Sequence, residues 1–283
     1  MPLWPVNPSN KNSQPTAHTE KTQESDYPRI ATIIVNYHKA ERLVTGLELL
    51  RLQTMAPQMK IVVVDNSVSR QEAEILQRHT RPNESLIISA ENLGYSRAVN
   101  LAVRNAGGHD YVLLASPDIL VEDRRAIQEM VSLLQTEPRI AVLATLQRND
   151  DGSPVEVARQ FPSIWRQIMR RSDPRAFQEL HIQSALDDNV RIIDVDWVQS
   201  SFVMIRRTFW DEVSGLDEAY KIFMADVAMC WRAHKQGLRV AVTSLVNVRA
   251  DGLRASRGGI RDIFRSRPLR IHLRDAMMYY LRH

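Results

Sequence analysis

Short apolar runs alternate along this chain with longer segments whose apolar positions recur at helical spacing. The run 30–37 reads as a buried strand, and 41–53 as a helix with Leu43, Leu47 and Leu50 on one face. A second strand is expected over 60–64, a helix over 70–79 and a short strand over 85–89. Next come a helix over 96–105 closed by Gly107-Gly108, a strand over 111–115, a helix over 124–135 stopped near Pro138, and a strand over 140–146. This order predicts an α/β fold, a doubly wound and mainly parallel sheet with right-handed crossovers and flanking helices. The pattern changes after the turn signal Asn149-Asp150-Asp151-Gly152. Segment 155–189 is irregular and 191–206 alternates like one long strand. A short helix closes over 212–215, another spans 226–236, and 238–248 is the last strand.

Two of the strands stop at an acid. Val63-Val64-Asp65-Asn66-Ser67 and Leu113-Leu114-Ala115-Ser116-Pro117-Asp118 each end an apolar run at a carboxylate flanked by small polar residues. In an open parallel sheet the C-terminal strand ends face the ligand crevice. An acid there can read a base edge or hold a cation beside phosphates, so the pair points to a nucleotide site. The competing reading of Asp65 is a helix cap, a role that Asp and Ser favour.

Composition narrows the class. At 283 residues, with 44% apolar and 25% charged residues, the chain has enough apolar material for one large α/β domain or two small ones. Its single cysteine, Cys230, excludes an internal disulfide and fits a reducing cytoplasm. Residues 1–28 are polar and Pro-rich with no apolar stretch of signal-peptide type, and read as a disordered tail. The apolar runs are too short to cross a bilayer. The formal charge of +4 is uneven, with arginines crowded into 249–283. That segment suits an anionic partner, or is a solvated arginine face. It lacks the interleaved aromatics of a nucleic-acid stacking platform, which disfavours nucleic acid.

Several segments in register carry a resemblance. Ile33-Ile34-Val35-Asn36-Tyr37, Val64-Asp65-Asn66-Ser67, Glu91-Asn92-Leu93-Gly94-Tyr95 with Ala98 and Asn100, and Ser116-Pro117-Asp118 follow the order and spacing of family-2 glycosyltransferases with the GT-A fold. The likeness continues through 202–207, 213–218 and 223–232, and is strongest to the rhamnosyltransferase-like branch. It implies a GT-A-like sheet with a nucleotide-sugar-binding half over 29–148 and an acceptor half over 149–248 of the same domain. It also implies inverting, metal-dependent transfer of rhamnose or another hexose from a dTDP- or UDP-sugar to a glycan or lipid-linked acceptor. The setting would be surface polysaccharide synthesis, in the cytoplasm at the inner face of the plasma membrane.

The resemblance assigns roles residue by residue. Asp65 would accept from the N3–H of a pyrimidine, with Asn36, Tyr37 and Asn66 lining base and ribose. Asn92, Gly94, Arg97, Asn100 and Ser116 would complete the nucleotide site; Arg97 and Asn100, one turn apart, face the same side, and Arg97 suits a diphosphate. Asp118 would hold Mg²⁺ or Mn²⁺. Asp226 would be the general base, its ionised form favoured by the helix N-terminus. Acceptor recognition is expected from 155–196, with Trp165 and Trp197 as stacking candidates, and residues 272–282 resemble a C-terminal helix suited to an anionic membrane surface.

Three departures stand against this pattern. Ala225 and Ala228 occupy positions where the family carries acids, and Arg249 stands where a histidine is usual. Arg249 would replace that histidine as a fixed charge on the diphosphate, or Asp251 would bind the ion. The missing acids also open the alternative of a non-catalytic nucleotide-sugar-binding or interaction protein of the same fold.

Overall fold

The computed structural model describes residues 27–161, 191–252 and 267–282. Nearly all of the expected tail, Trp165 and most of the irregular 155–189 segment lie outside them.

Eight strands of the described residues form one sheet in the order β3-β2-β1-β4-β9-β5-β10-β7. These are β1 (Ile30–Asn36), β2 (Met59–Asp65), β3 (Ser85–Ile88), β4 (Tyr111–Ala115), β5 (Ile140–Asn149), β7 (Ile192–Asp194), β9 (Phe202–Arg206) and β10 (Arg239–Ala250). β6 (Ala158–Arg159) and β8 (Trp197–Val198) pair separately. The helices are α1 (Ala40–Arg51), α2 (Arg70–His79), α3 (Tyr95–Asn105), α4 (Ala126–Thr136), α5 (Arg207–Glu212), α6 (Ala225–Lys235) and α7 (Arg267–Arg282).

Period-two alternation in the strands builds two cores, one on each face. Ala31, Ile33, Val62, Val64, Val112 and Leu114 join Ala98 and Ala102 of α3, Phe209 of α5 and Val227 of α6. Ile30, Ile34, Val63 and Leu113 point the other way, to Leu43 and Leu47 of α1, Leu76 of α2 and Ile127 of α4. Both faces of the strands are covered, which is why they read as nearly unbroken apolar runs.

The β3-β2-β1-β4 side is all parallel. Beyond β4 the expected single long strand 191–206 is broken into β7, β8 and β9. Each piece has a different partner: β7 lies antiparallel on β10, β8 on β6, and β9 is inserted antiparallel between β4 and β5. A continuous strand could not serve three partners, and the chain turns at 195–196 and 199–201 instead. β9 therefore stitches the two expected halves into one sheet.

Candidate active site

The C-terminal ends of β1, β2 and β4 lie side by side, with Asn36 in register with Asp65. Asp65 is buried; its Oδ1 accepts from Asn36 Nδ2 at 3.1 Å and from the Ser67 N–H at 3.1 Å. Its other oxygen, Oδ2, is buried with no hydrogen-bond partner among the described residues. A buried acceptor left open costs free energy, and a ligand N–H would satisfy it. Asn36 Nδ2 also lies 3.2 Å from Ser67 Oγ and 2.9 Å from Glu72 Oε2, while the Ser67 hydroxyl accepts from the His38 N–H. Glu72, which the sequence reading missed, accepts in addition from the Ala40 N–H and so ties α2 to the start of α1. Tyr37 is exposed and meets the His38 ring edge-on. His38 and Val68 both adopt positive φ, 56° and 54°. A β-branched residue there is unusual, and it marks the loop after β2 as held by its surroundings.

Asn66 and Asn92 are used within the protein. The Asn66 amide lies 3.2 Å from Asn92 Oδ1 and its Oδ1 accepts from the Leu93 N–H at 2.8 Å; Asn92 Oδ1 also accepts from the Gly94 N–H at 2.9 Å. Together they lock the 91–95 loop to the end of β2. Gly94 has φ 80°, and a Cβ there would lie 2.6 Å from Lys221 O. The close approach expected at this glycine is made by the chain's own backbone. Arg97 and Asn100 do face the same side, but the group they meet is Glu218, with Asn100 Nδ2 at 3.1 Å and Arg97 Nε at 3.9 Å. Asn100 is further engaged by Leu216, whose N–H and carbonyl it bonds at 3.0 and 2.8 Å. In this structure its amide therefore bonds the 214–224 segment.

Asp118 follows β4, and the Ser116 N–H bonds Ser201 O at 2.7 Å. Leu120 and Arg249 exchange two backbone hydrogen bonds, which brings the end of β10 alongside. Asp118 and Asp251 thus become neighbours, with the Lys39 ammonium paired to Asp251. Burial, then the charge of Asp251, pushes the Asp118 carboxyl above its usual range, with Lys39 opposing. Arg42 Nε donates to Asp118 O at 3.1 Å and grips Asp150 with both terminal nitrogens. Arg249 is held at 3.4 Å from both Glu122 and Asp150. It therefore does not extend alone toward a diphosphate; the acid it was weighed against, Asp251, is the one beside Asp118. Among the described residues no group of three metal-ligating side chains forms. Two adjacent desolvated carboxylates nonetheless fit a hard divalent cation whose remaining ligands come from substrate phosphates.

Asp226 stands in the first turn of α6. Its Oδ1 accepts from the Val227 N–H at 2.9 Å and its Oδ2 from the Ser200 N–H at 3.4 Å. The residue keeps some surface, yet burial of the carboxyl outweighs these donors and pushes its pKa up. The shift is therefore opposite in direction to the one expected from the helix end, because desolvation outweighs it. Tyr95 donates to Ser200 O at 3.3 Å and lies near Asp226, and its phenol is pushed up by burial. Ala225 and Ala228 are each 1% exposed, packed in the core beneath α6. Trp197 is partly buried: its indole N–H bonds Gln160 O at 3.0 Å and the Arg159 guanidinium lies 6.0 Å over its ring. Arg159 also approaches Asp226 and partly offsets its upward shift.

Lys39, Glu72, Arg159 and Glu218 escaped the sequence reading because their roles depend on pairings across the fold. Lys39 alone left a signal, standing just after the Asn36-Tyr37 strand end.

The model of the family described as Glycosyl transferase family 2 matches residues 31–209. An N-acetylglucosaminyl-diphospho-decaprenol L-rhamnosyltransferase of Mycobacterium tuberculosis is 28% identical over 223 residues, covering 74% of this chain and 71% of that protein. An O-antigen chain rhamnosyltransferase of Salmonella anatum is 24% identical over 198 residues, 70% of this chain and 58% of that one. Among solved structures, a mannosyltransferase from Pyrobaculum calidifontis in complex with GDP-Man and Mn²⁺ superposes with a TM-score of 0.58 at 17% identity. That match covers 83% of this chain and 59% of the other, and shows that the fold is GT-A.

Proposed function

The chain belongs to glycosyl transferase family 2, and from that premise we propose an inverting transfer of rhamnose or another hexose from a dTDP- or UDP-sugar to a glycan or lipid-linked acceptor in surface polysaccharide synthesis. One observation carries the reading: Asp65, Asp118 with Asp251, and Asp226 converge on the same edge of the sheet. β1 alone separates β2 from β4, so the strands that lead to Asp65 and to Asp118 run about 10 Å apart. The Ser116–Ser201 bond and the Ser200–Asp226 bond then link the second acid to the third.

The chemistry follows from these positions. Asp65 Oδ2 accepts from the pyrimidine N3–H, and Tyr37, exposed at the rim, covers the base. Asp118 and Asp251 would hold Mg²⁺ or Mn²⁺, which supplies positive charge to the departing nucleoside diphosphate. Asp226 takes the proton of the acceptor hydroxyl as its oxygen bonds the anomeric carbon. The bond from that carbon to the diphosphate oxygen breaks, and its electron pair leaves with the diphosphate. A raised pKa makes Asp226 a stronger base than an ordinary carboxylate, provided the pH stays above it. The relatives' names supply the sugar and the lipid-linked acceptor for this proposal. The inner-face location draws on α7, where Met277 and Leu281 are 59% and 80% exposed beside an exposed Arg274. No helix among the described residues is long and apolar enough to cross a membrane.

The second reading, a nucleotide-sugar-binding module without turnover, draws on the buried Ala225 and Ala228. A panel of dTDP-, UDP- and GDP-sugars with and without Mn²⁺, read by thermal shift and by release of nucleoside diphosphate, separates the two. Transfer is expected with a dTDP- or UDP-sugar; tight binding with no release across the panel would favour the module.

A further inference from the structure

Helix α7 reaches the candidate site through one side chain. Asp275 is completely buried, and its Oδ2 accepts from the successive backbone N–H groups of Lys221, Ile222 and Phe223, each at 3.1 Å. Consecutive N–H groups converging on one point form a concavity suited to an anion. Here the chain supplies the anion itself. Among the described residues Asp275 Oδ1 is buried with no hydrogen-bond partner, so the three amide bonds to Oδ2 are what hold the carboxylate.

The backbone held by Asp275 is held from its other side by α3. The Tyr95 N–H bonds Lys221 O at 2.6 Å and the Ser96 hydroxyl donates to Tyr220 O at 2.7 Å. Immediately beyond the clamp Met224 adopts φ 66°, and α6 starts at the next residue with Asp226 in its first turn. No side chain caps that helix start. A left-handed non-glycine residue persists only where its surroundings fix it. The direction in which Asp226 leaves the loop is therefore set by the clamp on 221–223.

We propose that Asp275 is a positioning residue for the transfer: by holding the 221–223 backbone against α3 it fixes the turn at Met224 and so aims the Asp226 carboxylate at the acceptor hydroxyl. The assignment rests on Asp226 being the base. Asp275 itself touches no reacting atom.

The test uses the full chain carrying Asp275→Ala, Asp275→Asn or Arg282→Ala, below the melting temperature of all three. Arg282 pairs with Asp217 at 3.0 Å and docks the far end of α7 without touching the 221–223 amides. Two readouts are taken: kcat and donor KM with the sugar nucleotide the wild type turns over, and amide exchange at 221–226. Asp275→Ala is expected to lower kcat tenfold or more with donor KM within twofold, and to speed exchange through Asp226. Asp275→Asn, which keeps a carbonyl oxygen for the three N–H groups, should recover most of that loss, and Arg282→Ala should leave kcat unchanged. Wild-type kcat in a folded Asp275→Ala, or an equal loss in Arg282→Ala, overturns the proposal. If the wild type turns over no sugar, the functional reading fails separately. Exchange then decides for Asp275: faster exchange at Ala225 and Asp226 in the alanine variant supports the positioning, and unchanged exchange there overturns it.

Discussion

Asp65 and Asp226 sit at the same edge of one sheet and are built in opposite ways. Asp65 ends a strand flanked by parallel neighbours, and a short-range network of Asn36, Ser67 and Glu72 surrounds it. One oxygen is fixed and the other left open, a suitable state for a group that recognises a ligand by a hydrogen bond. Asp226 stands where antiparallel insertion has broken the regular pattern. Its donors are a neighbouring amide and a long bond from Ser200, and the loop feeding it is braced by residues far away in sequence. Burial with so few donors destabilises its charged form. On the proposed roles, the binding carboxylate is held by hydrogen bonds from neighbouring strand ends, and the base is given few.

Removing the charge at Asp226 should have the largest effect. Asp226→Asn is expected to lower turnover by about 10²–10⁴-fold, the usual contribution of a general base, with donor affinity within about twofold. Burial raises the folded pKa above the unfolded one, so the stabilising neutral form is lost as pH rises through the folded value. At neutral pH the native carboxylate therefore works against folding, and the asparagine variant should melt higher than wild type. The same shift places the acidic limb of the wild-type kcat profile above the ordinary Asp value of about 3.9. A variant that loses nucleotide affinity along with turnover, or a limb at or below that value, would break the contrast with Asp65.

A reciprocal pair sharpens it. Asp118→Ala should remove the Mn²⁺-dependent part of UDP or dTDP affinity, about tenfold or more, and leave uridine and thymidine binding unchanged. Asp65→Asn should do the reverse, losing about tenfold in nucleoside affinity through one unsatisfied hydrogen bond while the Mn²⁺ increment survives. Calorimetry with each ligand, with and without Mn²⁺, reads both. Identical losses in the two variants would mean that base and diphosphate are not held by separate acids.

The parallel side of the sheet was legible from sequence because each strand there is a continuous apolar run and each helix repeats at its own period. The expected 70–79 helix and 111–115 strand coincide with α2 and β4. Past residue 190 the same rule misled: alternation over 191–206 records burial on one side but not which neighbour buries it, so three short strands read as one. At the site, Asp65 and Asp118 stood out as acids that end apolar runs, and Asp226 by its match to the family pattern. Asp275 did not, since an acid in an arginine-rich amphipathic segment looks solvated until the fold delivers three amide groups to it. The partners of Asn100 were hidden for a related reason: spacing gives the direction of a side chain but not what occupies that direction, here Leu216 and Glu218.

The smallest effect belongs to Arg97, the residue on which the parallel half could still resemble the other. It was expected at the diphosphate, yet it is largely exposed and its Nε lies 3.9 Å from Glu218. An exposed pair at that distance contributes about 0–1 kcal/mol, and salt screens most of it. Arg97→Ala is therefore expected to change UDP or dTDP affinity by no more than about twofold and the melting temperature by about a degree or less. On the proposed function, Lys39 and the Asp118–Asp251 pair carry that affinity instead. A tenfold loss of diphosphate affinity with nucleoside affinity intact would return Arg97 to the donor site. It would also show that the 214–224 segment, which carries Glu218, releases its arginine when the nucleotide binds.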